Sequence, residues 1–269
     1  MPINTQTRNG KLNDRRRKTI RAALETEGIG QFPPVSYPVA EAINTLCTNL
    51  SFSGENVRKI MMTSCHASEG KTFLSMNIMR TMARFGKRVV LVDADMRRSM
   101  IDARYALEYP AVSEKRGLAH YLAGKADLDK VIYSTDIEGA YMIPVGREVS
   151  NPLPLLNAQR LDMLLNKLAQ RADYVLVDAP PVGTVIDGAQ IAKSCDGTLL
   201  VVSYNTVRRK ELMDVQLQLE QTGCPILGTV LNMVSYDGYL SRKYDNRPYE
   251  FGCCGGSHSD SGPGMRDHK

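Results

Sequence analysis

Two short apolar runs separated by a small-residue loop constrain this chain more than any other feature. Residues 61–97 read MMTSCHASEGKTFLSMNIMRTMARFGKRVVLVDADMR. The first run, centred on 60–62, enters a loop that ends Gly70-Lys71-Thr72. A helix-spaced stretch follows, with Leu74, Ile78 and Met82 on one face, until Gly86 stops it. The second run, 89–92, closes on Asp93-Ala94-Asp95. A loop ending Gly-Lys-Thr at a helix start holds phosphates. Its backbone N–H groups and the positive helix end attract anions, the lysine reaches the terminal phosphates, and the threonine hydroxyl ligates Mg²⁺. Strand, loop and helix in that order predict a nucleoside triphosphate with Mg²⁺ as ligand. The candidate contacts are Ala67, Ser68, Glu69, Gly70, Lys71, Thr72 and Phe73. Carboxylates ending the next strand can complete the metal shell or serve as a base.

The rest of the chain supplies a sheet for this loop. Apolar runs at 142–145, 174–177, 198–202 and 226–231 alternate with helix-spaced segments at 161–168, 187–194 and 207–221. The segment 117–132 reads as a helix pair around Gly124. Such alternation predicts an α/β fold of the P-loop NTPase kind, a mostly parallel sheet with helices on both faces. Ligands of such sheets sit at the carboxyl ends of the strands, where Asp93, Asp95 and Asp178 all fall. The domain is expected over 37–235. Before it, residues 1–36 form a basic peripheral segment with Arg15-Arg16-Arg17-Lys18, either a solvated tail or a patch drawn to an anionic membrane face or acidic partner. After it, 236–269 reads as a polar tail carrying Tyr236, Tyr239, Tyr244 and Tyr249.

Composition narrows the class. A hydrophobic content of 43% with 23% charged residues is that of a soluble globular protein, and a net charge of +5 is too mild to point to nucleic acid. No apolar run is long enough to span a bilayer, and the N-terminus lacks a signal-peptide core, so a cytoplasmic location is expected. The cysteines are then expected to be reduced and inert. Cys253-Cys254 lacks the Cys-x-x-Cys spacing of a metal site.

From about 39 to 234 the chain resembles the bacterial tyrosine kinases of capsule and exopolysaccharide synthesis. Residues 63–72 are similar to that family's phosphate loop. Val92-Asp-Ala-Asp-Met-Arg-Arg98 is similar to its second Walker motif, and Val177-Asp-Ala-Pro-Pro-Val182 to its Walker B. Asn151-Pro152, Asp187 and Gly228-Thr-Val-Leu-Asn232 also sit where the family pattern puts them. The resemblance implies a protein-tyrosine autokinase that uses ATP and Mg²⁺ in polysaccharide synthesis and export. Lys71 would neutralise the β- and γ-phosphates, while Thr72, Asp93 and Asp178 would serve the metal. Asp95 or Asp93 would accept the tyrosine proton, and Arg97 would orient the acceptor. Asn232 would bind the base, with a plain turn residue as the alternative. The tail tyrosines would be the autophosphorylation sites. The partner implied is a membrane polysaccharide co-polymerase that activates the kinase and holds it at the inner membrane face.

The chain departs from the family in three places: its phosphate loop, its oligomerisation helix and its tail, where the tyrosines are spread out rather than contiguous. Ala67-Ser68 replaces the usual Pro-Gly of the loop, and Cys65 stands at its first glycine position, which predicts strain at Ser68 and weakened or shifted nucleotide binding. Asn44 and Cys47 replace both arginines of the Glu-x-x-Arg-x-x-Arg motif that begins at Glu41, removing charged pairing from the interface through which the family builds homo-oligomeric rings. Two other readings stay open. One is a switch ATPase of the cell-division and partition kind, which would carry a lysine where His66 stands. The other is a non-catalytic scaffold paralogue.

Overall fold

The computed structural model describes residues 28–29, 35–105, 107, 109, 115–156 and 159–234. The tyrosines at 236, 239, 244 and 249, the basic cluster near Arg15 and the Cys253-Cys254 pair lie outside them. The chain divides after Met233, and the account that follows concerns the unit before that point.

In chain order the elements are β1 (Gly28–Ile29), α1 (Tyr37–Ser51), β2 (Lys59–Ser64), α2 (Lys71–Arg84), β3 (Val89–Asp93), α3 (Ile101–Tyr105) and α4 (Leu118–Leu122). Then come a 3₁₀ turn (Leu128–Lys130), β4 (Tyr133–Thr135), β5 (Ala140–Ile143), α5 (Leu153–Leu156), α6 (Arg160–Ala169) and β6 (Tyr174–Asp178). The last elements are α7 (Asp187–Ala192), β7 (Gly197–Ser203), α8 (Arg209–Glu220) and β8 (Ile226–Asn232). The strands form one sheet in the order β1-β4-β5-β3-β6-β2-β7-β8. Every pairing is parallel except β4 with β5.

The inner strands are apolar on both faces because both are covered. Along β2, Ile60 and Met62 face a core shared with Leu74, Ile78 and Met82 of α2 and Ile43, Cys47 and Leu50 of α1. Met61 faces the opposite core, built with Leu161, Leu164, Leu165 and Leu168 of α6 and Val215 and Leu219 of α8. The α/β sandwich expected from the sequence is therefore present. Its helix pair over 117–132 is not: the second half is only the 3₁₀ turn, which feeds the antiparallel strand β4. A three-residue strand carries too little alternation to show in sequence, and α3 is likewise too short for a visible period.

Register aligns the chemistry. Asp93 pairs with Asp178 across β3 and β6, and Ser203 with Asn232 across β7 and β8. The loop 65–70 leaves β2 between these pairs, so all five strand ends open onto one edge.

Cys47 points into the core, 2% exposed, with its thiol against the Ile78 carbonyl. Asn44 bonds to Glu41 on its own helix. Burial pushes the thiol of Cys47 up to about 12 and that of Cys65 up to about 11, and it raises Cys195 and Cys224 as well. All four are free thiols, as expected for inert cysteines.

Candidate active site

The phosphate loop is shaped by two unusual backbone positions. Gly70, the residue before α2, has φ +92°, and a Cβ there would overlap the Asn232 amide. Ser68 has φ 66°, the left-handed region expected to cost a non-glycine residue strain. The loop closes around Glu69. This residue is 3% exposed, and its carboxylate accepts N–H bonds from His66 (2.8 Å) and Ser203 (3.2 Å). The Asn232 amide donates to the Glu69 carbonyl at 2.9 Å. Glu69 and Asn232 thus fasten the loop to the ends of β7 and β8. Of the predicted nucleotide contacts, Ala67 and Ser68 are exposed, Phe73 packs against the core on the α1–α2 side, and Glu69 turns its carboxylate inward.

Ser68→Gly should relieve the strain. An αL serine costs about 1–2 kcal/mol, and the extra freedom of glycine in the unfolded chain costs about 0.5–1. Thermal denaturation should show a rise in Tm of about 2–4 °C.

Behind the loop, Lys71 opens α2 and is 7% exposed. Thr72 donates its hydroxyl to Asp178 Oδ2 at 2.7 Å, and Ser75 reaches Asp178 Oδ1 at 3.2 Å. Asp178 and Asp93 are each 1% exposed. Burial pushes Asp178 up to about 6, opposed by the Lys71 charge and the Thr72 bond. Burial and the Asp178 charge push Asp93 well above the usual carboxylate range. Asp95 is raised by burial and restrained by Lys71.

Lys71 acts on Asp95 and Asp178, and Lys115 on Asp93, so this edge lines up carboxylate oxygens with cations that phosphates could also meet. Among the described residues no three acidic, imidazole or thiol groups form a ready-made cation cage. Mg²⁺ takes most of its shell from phosphate and water and asks for only one or two protein oxygens, a demand that Thr72 and Asp178 fit.

Arg97, expected to orient the acceptor, has its partners within the chain. Its guanidinium pairs two-pronged with Asp187 and donates to the Ser150 carbonyl at 3.1 Å. Asp187, 1% exposed in the first turn of α7, is the partner that sequence reasoning left without a role. Ser75 and Ser99 also went unmarked, because single serines carry no spacing signal.

Comparison with known proteins bears on the same region. An AAA domain family model matches residues 57–216. The tyrosine-protein kinase CpsD of Streptococcus pneumoniae is 36% identical over 201 residues, covering 74% of this chain and 87% of that protein. The chain belongs to the bacterial tyrosine kinases. The solved kinase domain of the Escherichia coli tyrosine kinase ETK superposes on this kinase with a TM-score of 0.65 and 33% identity, over 73% of this chain and 77% of that one. The septum site-determining protein MinD of Pyrococcus horikoshii, solved with Mg-ADP, superposes with a TM-score of 0.54 at 24% identity, over 65% of this chain and 70% of that one. That likeness shows a shared fold. The kinase relatives match more of the chain at higher identity.

Proposed function

We propose that this kinase is an Mg²⁺-ATP-dependent protein-tyrosine autokinase acting on Tyr236, Tyr239, Tyr244 and Tyr249 of its own tail. The observation that carries this reading is the convergence of Lys71, Thr72, Asp93, Asp95 and Asp178 at one sheet edge beside the phosphate loop. Phosphoryl transfer needs mainly positioning and charge neutralisation, which this set supplies. Bound Mg²⁺ would neutralise the phosphate oxygens, held through Thr72 with Asp178 and Asp93 behind it. Lys71 neutralises the β- and γ-phosphates. Asp95 is only half-buried, and one of its oxygens holds the Arg98 N–H, so the other can accept the proton of an incoming tyrosine hydroxyl. Asn232 stands beside the loop as a brace for Glu69.

We place the kinase at the inner face of the membrane, activated by a membrane co-polymerase of the polysaccharide machinery. Among the described residues no helix is long and apolar enough to cross a membrane. Asn44 and Cys47 replace the arginines of the family's ring motif, so a ring of this chain would lack that charged pairing.

Purified protein incubated with Mg²⁺-ATP and the activator's cytoplasmic tail should gain phosphotyrosine. Changing the four tail tyrosines to phenylalanine should remove most of it. Label persisting elsewhere would move the acceptor, and phosphate release without phosphotyrosine would favour the switch ATPase instead.

A further inference from the structure

Ser99 belongs to no Walker pattern, yet its hydroxyl donates to Asp93 Oδ2 at 2.5 Å. The other Asp93 oxygen accepts the Asp95 N–H at 3.3 Å, and Asp95 Oδ1 in turn accepts the Arg98 N–H at 3.2 Å. These three bonds curl residues 93–99 into a closed turn, so the chain itself supplies a donor to each oxygen of a carboxylate that is 1% exposed. The Asp95 N–H is a backbone group that no side-chain change removes. Ser99 is the side chain that sets the remaining degree of freedom, the rotation of the Asp93 carboxylate plane. Across the strands Thr72 donates to one Asp178 oxygen, and the Ser75 hydroxyl, shared with the Lys71 carbonyl at 2.9 Å, lies 3.2 Å from the other. Both buried carboxylates thus have hydroxyls beside them, two on α2 and one beyond β3.

We propose that Ser99 is a positioning residue that orients Asp93 toward the Mg²⁺-nucleotide complex, so that the metal response of this kinase depends on the Ser99 hydroxyl. The assignment rests on reading this edge as the Mg²⁺-nucleotide site. Hydrogen-bond partners behind a metal-facing carboxylate matter because a misoriented acid must first be turned before it can serve the ion. Ser99 is half-buried. A matched test uses Ser99→Thr, which keeps the hydroxyl, and Ser99→Val, which has the same shape without it.

The readout is binding of a fluorescent ADP analogue titrated with Mg²⁺, alongside binding in EDTA. Ser99→Val should raise the Mg²⁺ concentration for half-maximal enhancement by about 10-fold or more and lower kcat by a similar factor. Ser99→Thr should stay near wild type, and affinity in EDTA should be the same in all three. A Val variant that matches Thr in its Mg²⁺ response overturns the assignment while leaving the kinase reading intact. A wild-type protein with no Mg²⁺-dependent nucleotide binding overturns both.

Discussion

Lys71→Met should lower tyrosine phosphorylation by about 10²–10³-fold, the size of loss seen when one preorganised charge-stabilising donor is removed from a transition state. Methionine keeps the apolar stem that packs at the start of α2, so the fold should survive and the loss should lie in charge. Lys71 is the cation that holds down the proton affinity of both Asp95 and Asp178. Its removal therefore has a second signature. Asp178 already sits at about 6 against an ordinary 3.8, so the folded protein binds this proton more tightly than the unfolded chain. The sign follows from linkage: the contribution of Asp178 to stability is present below 3.8 and is lost as pH rises through about 6. In Lys71→Met the carboxylate loses its counter-charge, so the window of loss should extend above 6. Tm measured against pH without nucleotide should show that extension, and proton competition should shift Mg²⁺-nucleotide binding to higher pH. Unchanged phosphorylation with an unchanged stability profile would remove Lys71 from the site.

The sequence made the sheet and one edge of the site legible for a physical reason. Buried parallel strands must be apolar on both faces, and a polar residue ending such a run marks the edge where ligands bind. Asp93 and Asp178 were visible on that ground alone, and the strain at Ser68 was readable from its place in a loop that asks for glycine. What stayed hidden was side-chain direction. Glu69 and Asn232 lie in phosphate-loop and strand-end positions that suggest nucleotide contact. Their partners, Ser203 and the Glu69 carbonyl, are 134 and 163 residues away in sequence. Arg97 looked free to meet an acceptor because nothing in its neighbourhood announces the buried Asp187. Cys47 fills an arginine's place in a surface motif, yet the periodicity of α1 carries it into the core with Ile43 and Leu50. For Glu69, Asn232 and Arg97 the deciding contact is long-range, and a one-dimensional pattern holds no record of it.

The second large effect should come from Glu69→Ala. The altered loop has Cys65 and Ser68 where the family carries glycine and Ala67 where it carries the stiffer proline, and Glu69 supplies rigidity. A carboxylate only accepts, and each of its oxygens here meets a backbone N–H, from His66 on one side and Ser203 on the other. Alanine leaves both donors without their partner, at roughly 1–3 kcal/mol for each that stays buried. The loop would then lose its tie to the end of β7 and retain only the Asn232 bond to its carbonyl. Nucleotide affinity should fall by about 10-fold or more, since 1.4 kcal/mol of preorganisation is worth a factor of ten. Glu69→Gln should be nearly as damaging, because its NH₂ group must face one of the two N–H donors. Cys65 offers a reporter that is independent of nucleotide. Its thiol is raised first by burial and then by the Glu69 charge, so removal of that charge should lower its pKa from about 11 and speed alkylation. Asn232→Ala, which leaves the carboxylate bonds in place, should weaken nucleotide binding less and leave the Cys65 rate near wild type. Equal nucleotide affinity in wild type and Glu69→Ala, with no change at Cys65, would show that the loop keeps its shape without this brace.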